Sequence, residues 1–338
     1  MKFQKIFLFG AMIAMTAAAQ DANAADPIEI KFGFPAPPVS KVYVWGVGPW
    51  AEAVEKDAQG TIKFKFFYGN TLGTVQNMYD RTIKGIAQAS FGVLGPLAGQ
   101  FKQVYVTTLP FEAKNDLEAS TALWRIYKKG LIAKEFGNVR PLALFTFPHA
   151  GFHTNKPVLT EADLRGLKIA TSDRVMGQFI TRLGASPVTM GPPDYYQAVS
   201  RGVADGIAVG WSAVTTFKLQ EVTNYHLDVN SGLAGAYIFM NNETYAKLPE
   251  VARKAIDKHS GEPFSITMGE VTDRMDKVGR ELVEKMEGQT VKDANPAVVE
   301  RWKTIARPIT EEWVKNTPDG ANVLAAFRAE IQNIRGGK

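Results

Sequence analysis

No cysteine occurs in the 338 residues. Disulfides, thiolate-held metals and cysteine nucleophiles are therefore excluded, and core packing must hold the fold together. Histidine is nearly as scarce: His149, His153, His226 and His259 are the four. They offer no metal-binding helix pattern, since the i, i+4 pair His149 and His153 is interrupted by Gly151. Neither a structural metal nor a cofactor is expected, although a carboxylate ligand can bring a cation with it. The chain also lacks a nucleophile elbow G-x-S-x-G, a phosphate loop G-x-x-x-x-G-K and a G-x-G-x-x-G following a strand. An exported enzyme with a dispersed carboxylate pair is the one enzymatic reading left. Lysines and arginines are scattered along helical patterns without forming a patch, so nucleic acid is not an expected partner.

At the start of the chain, Lys2 and Lys5 precede an apolar run over 6–15, and A-N-A ends at Ala24. That is the layout of a cleavable export signal over 1–24. The apolar run is well short of the ~20 residues that span a bilayer, and no later stretch reaches that length. About 314 residues remain, enough for two lobes of ordinary domain size. Losing Lys2, Lys5 and Asp21 lowers the formal charge from +5 to +4, a mild bias toward an anionic small ligand.

Residues 161–211 carry the clearest local signals. A buried strand ends at Ala170, Thr171 to Asp173 offer N-cap side chains, and Arg174 opens a helix that Gly184 stops. A second strand over 185–190, a helix over 195–201 and a third strand ending at Trp211 follow. Upstream, strands at 28–34 and 61–69 flank a helix at 42–57, and 88–96 reads as another buried strand. This alternation predicts an α/β chain with largely parallel sheets. A long helix is expected over 116–136. Crossings between lobes are expected near 141–150 and 232–241. The charged segment 250–288 reads as one kinked helix or two, depending on Pro263.

Ligands in open α/β sheets lie beyond the carboxyl ends of the strands, beside helix N-termini. Arg174 sits at such a point, and a guanidinium can grip a carboxylate through two parallel hydrogen bonds. Phe34, Phe147, Trp211 and Tyr237 are candidate aromatic walls, with Tyr68 and 91–96 also near strand ends; for each, core packing is the bland alternative. Asn241 can accept and donate at once, which suits it to position a ligand or an arginine. His153 is a candidate donor to an anion; a turn histidine bonded to backbone is the bland reading, and it is the one adopted for His149.

FYGNTLG at 67–73, LPF at 109–111, HTNKPVLTEADLRGLKIA at 153–170, LGASPVTM at 183–190, the Asp205-Gly206 pair and MNNETYAKLP at 240–249 follow one another in an order and spacing that matter more than any one of them. Together they resemble the extracytoplasmic solute-binding proteins of tripartite ATP-independent periplasmic (TRAP) transporters, of the dicarboxylate-binding type, over nearly the whole mature chain. The resemblance implies a two-lobed periplasmic binding protein fold with a hinge, an interlobe ligand cleft and a long helix spanning both lobes. It implies a monomer in the periplasm that is no enzyme, captures a small organic acid and delivers it to TRAP membrane subunits. The binding protein of an ATP-driven importer is the alternative with the same two-lobed physics. Lobe I is expected to comprise 25–148 with 236–285, and lobe II 149–235 with 286–338. The resemblance also favours a cleft role for His153. One departure stands out: members usually have K-I-R at the end of the strand that here closes on Ala170, and that arginine clamps the ligand carboxylate. Arg174, four residues on, is the nearest cation that can take over.

Overall fold

The computed structural model describes residues 26–148 and 151–337. The expected signal segment and His149 lie outside these residues. Lobe I begins with β1 (Ile28–Phe34), α1 (Gly48–Asp57), β2 (Ile62–Tyr68), α2 (Met78–Ile83), β3 (Ala89–Val93), α3 (Asp116–Lys128) and β4 (Val139–Pro148). The chain then enters lobe II with β5 (Gly151–Thr154), α4 (Glu161–Leu164), β6 (Lys168–Thr171), α5 (Arg174–Arg182), β7 (Ser186–Thr189), α6 (Tyr195–Ser200), β8 (Gly206–Val209), α7 (Trp211–Thr216) and β9 (Tyr225–Asp228). It returns through β10 (Leu233–Asn241), followed by α8 (Asn242–Lys247), α9 (Glu250–His259), α10 (Glu262–Glu284), β11 (Thr290–Asp293), α11 (Pro296–Asn316) and α12 (Gly320–Arg335).

Two sheets result, in the strand orders β2-β1-β3-β10-β4 and β11-β9-β5-β8-β6-β7. Both are mixed, because the strands bordering the crossings run against their neighbours: β10 is antiparallel to β3 and β4, and β5 is antiparallel to β8 and β9. The crossings fall between Pro148 and Gly151 and between Asp228 and Leu233. The parallel strands β1, β2 and β3 bring Phe34, Tyr68 and Val93 to one edge of the first sheet. In the second sheet, β6, β7 and β8 end at Thr171, Thr189 and Val209.

Separate apolar cores hold the lobes. Ile30, Phe32, Trp50 and Phe64 centre the core on one face of the first sheet, with Phe264 of α10 stacked on Trp50 at 5.0 Å. Phe152, Phe179 and Trp302 centre one core of lobe II. The charged segment after residue 250 resolves into two helices: Gly261, at φ 87°, ends α9 and lets α10 restart with Pro263 in its first turn. α10 packs on α3 and β4 of lobe I and on α7 of lobe II, so it is the element that spans both.

Several boundaries differ from those expected. The helix over 116–136 stops at Lys128, and a separate 3-10 turn covers Ala133–Phe136. The first helix opens with a π-helical turn, Tyr43–Val47, in which the Gly48 N–H donates to the Tyr43 carbonyl. α11 packs on α5 in lobe II, whereas α12 lies on α3 in lobe I, where Phe327 and Ile331 join its core. The chain end after 286 is thus shared between lobes, because the apolar face of α12 is covered chiefly by α3 and by the turn Gln103–Thr108 of lobe I.

Candidate ligand-binding cleft

The carboxyl ends of the parallel strands in each sheet carry the groups of interest. On the lobe I side the wall is aromatic. Tyr43 lies 5.7 Å from Phe34 and 5.2 Å from Tyr68, perpendicular to the latter, while Phe91 lies 5.0 Å from Phe34 and 6.3 Å from Phe147. Phe34 is fully buried, whereas Tyr43, Tyr68 and Phe147 keep part of their surface open. The π-helical turn matters here, since the extra residue per turn sets the direction of the Tyr43 ring. Burial pushes the Tyr68 phenol upward, so it stays a neutral donor.

On the lobe II side the wall is the β6 to α5 junction. Asp173 is the N-cap, its carboxylate accepting from the Met176 N–H at 2.8 Å, and burial pushes its pKa up to about 6. Arg174 follows as an exposed first helical residue with no hydrogen bond or ion pair among the described residues. Its charge and that of Asp173 act in opposite directions on Tyr105 of lobe I, whose hydroxyl donates to the carbonyls of Leu94 and Gly95. The charged junction therefore looks across at the loop after β3.

The lobes approach closely here. A methyl group placed at Gly95 would sit 3.3 Å from the Ser172 carbonyl oxygen, one at Gly191 would sit 3.9 Å from Gln76 Nε2, and one at Gly232 would sit 3.3 Å from the Thr108 carbonyl oxygen. Thus the loops 72–77 and 94–97 of lobe I cover Ser172 and Gly191 of lobe II.

Arg174 thus opens α5 just beyond the end of β6, Phe34 ends β1, and Phe147 lies one residue from the end of β4. Four other candidates lie elsewhere. His153 is wholly buried in lobe II, with Nε2 donating to the Val209 carbonyl at 3.1 Å and Nδ1 2.8 Å from His226 Nδ1. Burial, then the neighbouring His226, lowers its pKa to about 3, so it is neutral. Trp211 does not end a strand: Gly210 caps α7 and Trp211 is its first residue, 1% exposed, with its indole N–H donating to Asp228 at 3.1 Å. Tyr237 is stacked on Phe239 at 3.9 Å inside lobe I, its hydroxyl filling the space left by the missing side chain of Gly92. Asn241 caps α8, accepting from the Thr244 N–H at 2.8 Å and donating to the carbonyls of Thr82 and Ile83, each at 3.0 Å. Its polar atoms are occupied within lobe I.

Sequence reasoning passed over Tyr43 and Gln76, whereas Gly95 falls in the 91–96 segment it singled out. The π-helical turn has no simple sequence signature, and Gln76 stands out only where the lobes approach. Among the described residues no group of His, Asp and Glu could hold a metal ion, and no helix is long and apolar enough to cross a membrane. An unpaired guanidinium is chemically suited to a carboxylate, and a half-buried ring cluster to an apolar body.

Comparison with known proteins bears on the same point. The family model described as bacterial extracellular solute-binding protein, family 7, matches residues 36–316. The chain is 29% identical over 280 residues to the outer membrane transporter protein TsaT of Comamonas testosteroni, covering 81% of each chain. The structure of a TRAP solute-binding protein from Rhodoferax ferrireducens T118, in complex with copurified benzoate, superposes with a TM-score of 0.85 at 29% identity, covering 90% of this chain and 98% of that one. A marine metagenome TRAP solute-binding protein specific for aromatic acid ligands, crystallised with 3-hydroxybenzoate, gives 0.85 at 26% identity, covering 91% and 98%.

Proposed function

Since the chain belongs to the family 7 bacterial extracellular solute-binding proteins, working with TRAP membrane subunits, we propose that its ligand is a small carboxylic acid bearing an aromatic ring, captured in the periplasm after removal of residues 1–24. The observation that carries this reading is Arg174, an exposed guanidinium without an ion-pair partner among the described residues, at a junction that approaches the lobe I loop 94–97, which follows β3 of the sheet bearing the half-buried rings. A carboxylate at Arg174 would gain two charge-assisted hydrogen bonds, and a ring attached to it would bury apolar area against Tyr43, Tyr68 and Phe147. The relatives that bind benzoate and 3-hydroxybenzoate support the same class of ligand. The ligand leaves as it entered, since the role of the family is capture and handover. Binding to the native state alone raises stability by RT ln(1 + [L]/Kd), roughly 4 kcal/mol at a thousandfold excess over Kd. A melting screen of the mature chain against benzoate, mandelate, succinate and glucuronate tests the reading. Benzoate or mandelate should raise Tm most; a response to succinate alone would replace the aromatic acid by an aliphatic one.

A further inference from the structure

Two tyrosine hydroxyls in the structure are fully buried without a hydrogen-bond partner, those of Tyr195 and Tyr237. Their surroundings differ. Tyr237 lies mid-sheet, with its hydroxyl against the Gly92 backbone, so shape alone accounts for it. Tyr195 instead opens α6, four residues after Gly191, which approaches Gln76 of lobe I. The polar groups nearest its hydroxyl are the side chain and backbone of Ser172, which favour its ionised form but do not meet hydrogen-bond geometry with it; the Ser172 carbonyl faces Gly95 of lobe I. The Asp173 carboxylate acts on it as well. The ring packs in the same buried cluster as Ala170, the short residue in β6 two positions before Ser172. Tyr195 therefore stands between the two lobe II segments that touch lobe I, and the small side chain at 170 leaves room for its ring there.

A buried hydroxyl that lacks a partner is unfavourable, and such groups in native proteins call for a function or a missing partner. We propose that the Tyr195 hydroxyl is a ligand-binding donor: when the lobes open, the lobe I loop 94–97 withdraws from the Ser172 segment beside it, and on closure the hydroxyl donates to an oxygen of the bound acid. This rests on the carboxylate reading above. A phenol donor selects for an acceptor atom without adding charge, so it pairs with the Arg174 cation in holding one carboxylate or in holding a second oxygen on the same molecule.

Calorimetric titration of the mature chain and of Tyr195→Phe with benzoate, 3-hydroxybenzoate and mandelate tests this, with the melting temperature of each ligand-free protein as control. The substitution removes one oxygen and keeps the ring. We expect at least a tenfold weaker affinity for the acids that the unaltered chain binds, with a ligand-free Tm equal to or above that of the unaltered chain. Affinity within twofold would overturn the assignment of Tyr195 while leaving the carboxylate reading intact. A fall in affinity matched by a lower ligand-free Tm would assign Tyr195 a packing role and also overturn it. Failure of the unaltered chain to bind any of the three acids would overturn both.

Discussion

Asp273 and Asp276, one turn apart on α10, hold the N-termini of helices in different lobes. Asp273 accepts from the backbone N–H groups of Asp116 and Leu117 at 2.8 and 3.1 Å, where α3 begins. Asp276 accepts from the Ser212 N–H at 3.0 Å, where α7 begins. Each carboxylate offsets the free N–H groups and dipole of a helix it does not belong to. α10 thus acts as a beam with one polar attachment to each lobe, beside the crossing at Pro148: a methyl group at Gly210 would sit 2.3 Å from the Pro148 carbonyl oxygen and 2.8 Å from Asp276.

The first prediction follows from the burial of that attachment. Burial, with Asp228 and Asp273 nearby, pushes the Asp276 pKa up to about 7 against the Ser212 hydrogen bond that lowers it. A folded-state pKa above the unfolded value means that the native state holds the proton longer. The stability linked to this group is full below about pH 4 and is lost as pH rises to about 7. Asp276→Asn keeps an acceptor for Ser212 and removes the titration. Chemical denaturation at pH 5 and pH 8 should show the variant gaining on the original chain at the higher pH, by on the order of a few kcal/mol. An equal response to pH in both would refute it.

His153 gives a second prediction, of opposite sign. Its pKa of about 3 means that the unfolded chain takes up a proton below pH 6.5 that the native state refuses. The stability contribution is therefore present above about pH 6.5 and lost as pH falls toward 3. Nitrogen-detected NMR should find His153 neutral, with the proton on Nε2 toward Val209, throughout pH 5 to 8. An imidazolium signal for His153 at pH 6 would contradict the buried pairing.

A third prediction uses the close approach of the lobes. In Gly95→Val, the branched side chain has no room against the Ser172 carbonyl in the closed form, yet nothing in lobe I alone forbids it. Ligand-free Tm should change little, affinity should fall roughly tenfold, the equivalent of about 1.4 kcal/mol, and small-angle scattering should show a larger radius with ligand than for the unaltered chain. Unchanged affinity would mean that closure does not bring Gly95 against Ser172.

Much of this architecture was readable from the sequence, for local reasons. Asp173 and Gly184 delimit α5 as expected, the latter with φ 91°, and the strands before and after it follow from apolar runs between glycines. The crossings were readable because a long apolar strand, β4, precedes the first and another, β10, follows the second. What failed was long-range. Trp211 reads as a strand end beside a glycine, but Asp276, 65 residues further on, draws Gly210 and Ser212 into a helix start. His153 reads as an anion donor or a turn histidine, yet pairing with β8 and β9 places it in the middle of a sheet. Asn241 is a different lesson: Asn-Asn-Glu-Thr before a helical run is a capping signal, and the cap consumes the side chain that had been given a ligand. Arg174 is singled out by its place at the start of α5, where it is exposed and has no hydrogen bond or ion pair among the described residues.

Arg174 is therefore the fourth prediction and the central one, measured by calorimetric titration of the mature chain with benzoate. The account predicts saturable binding of one benzoate per chain, recovered unchanged on denaturation. It predicts loss of about 2 to 5 kcal/mol of binding free energy in Arg174→Ala, and weak binding in Arg174→Lys, whose ammonium cannot form the two-pronged contact. Binding of benzoate with the same affinity in Arg174→Ala would contradict it, as that would leave the carboxylate held by some other part of the cleft.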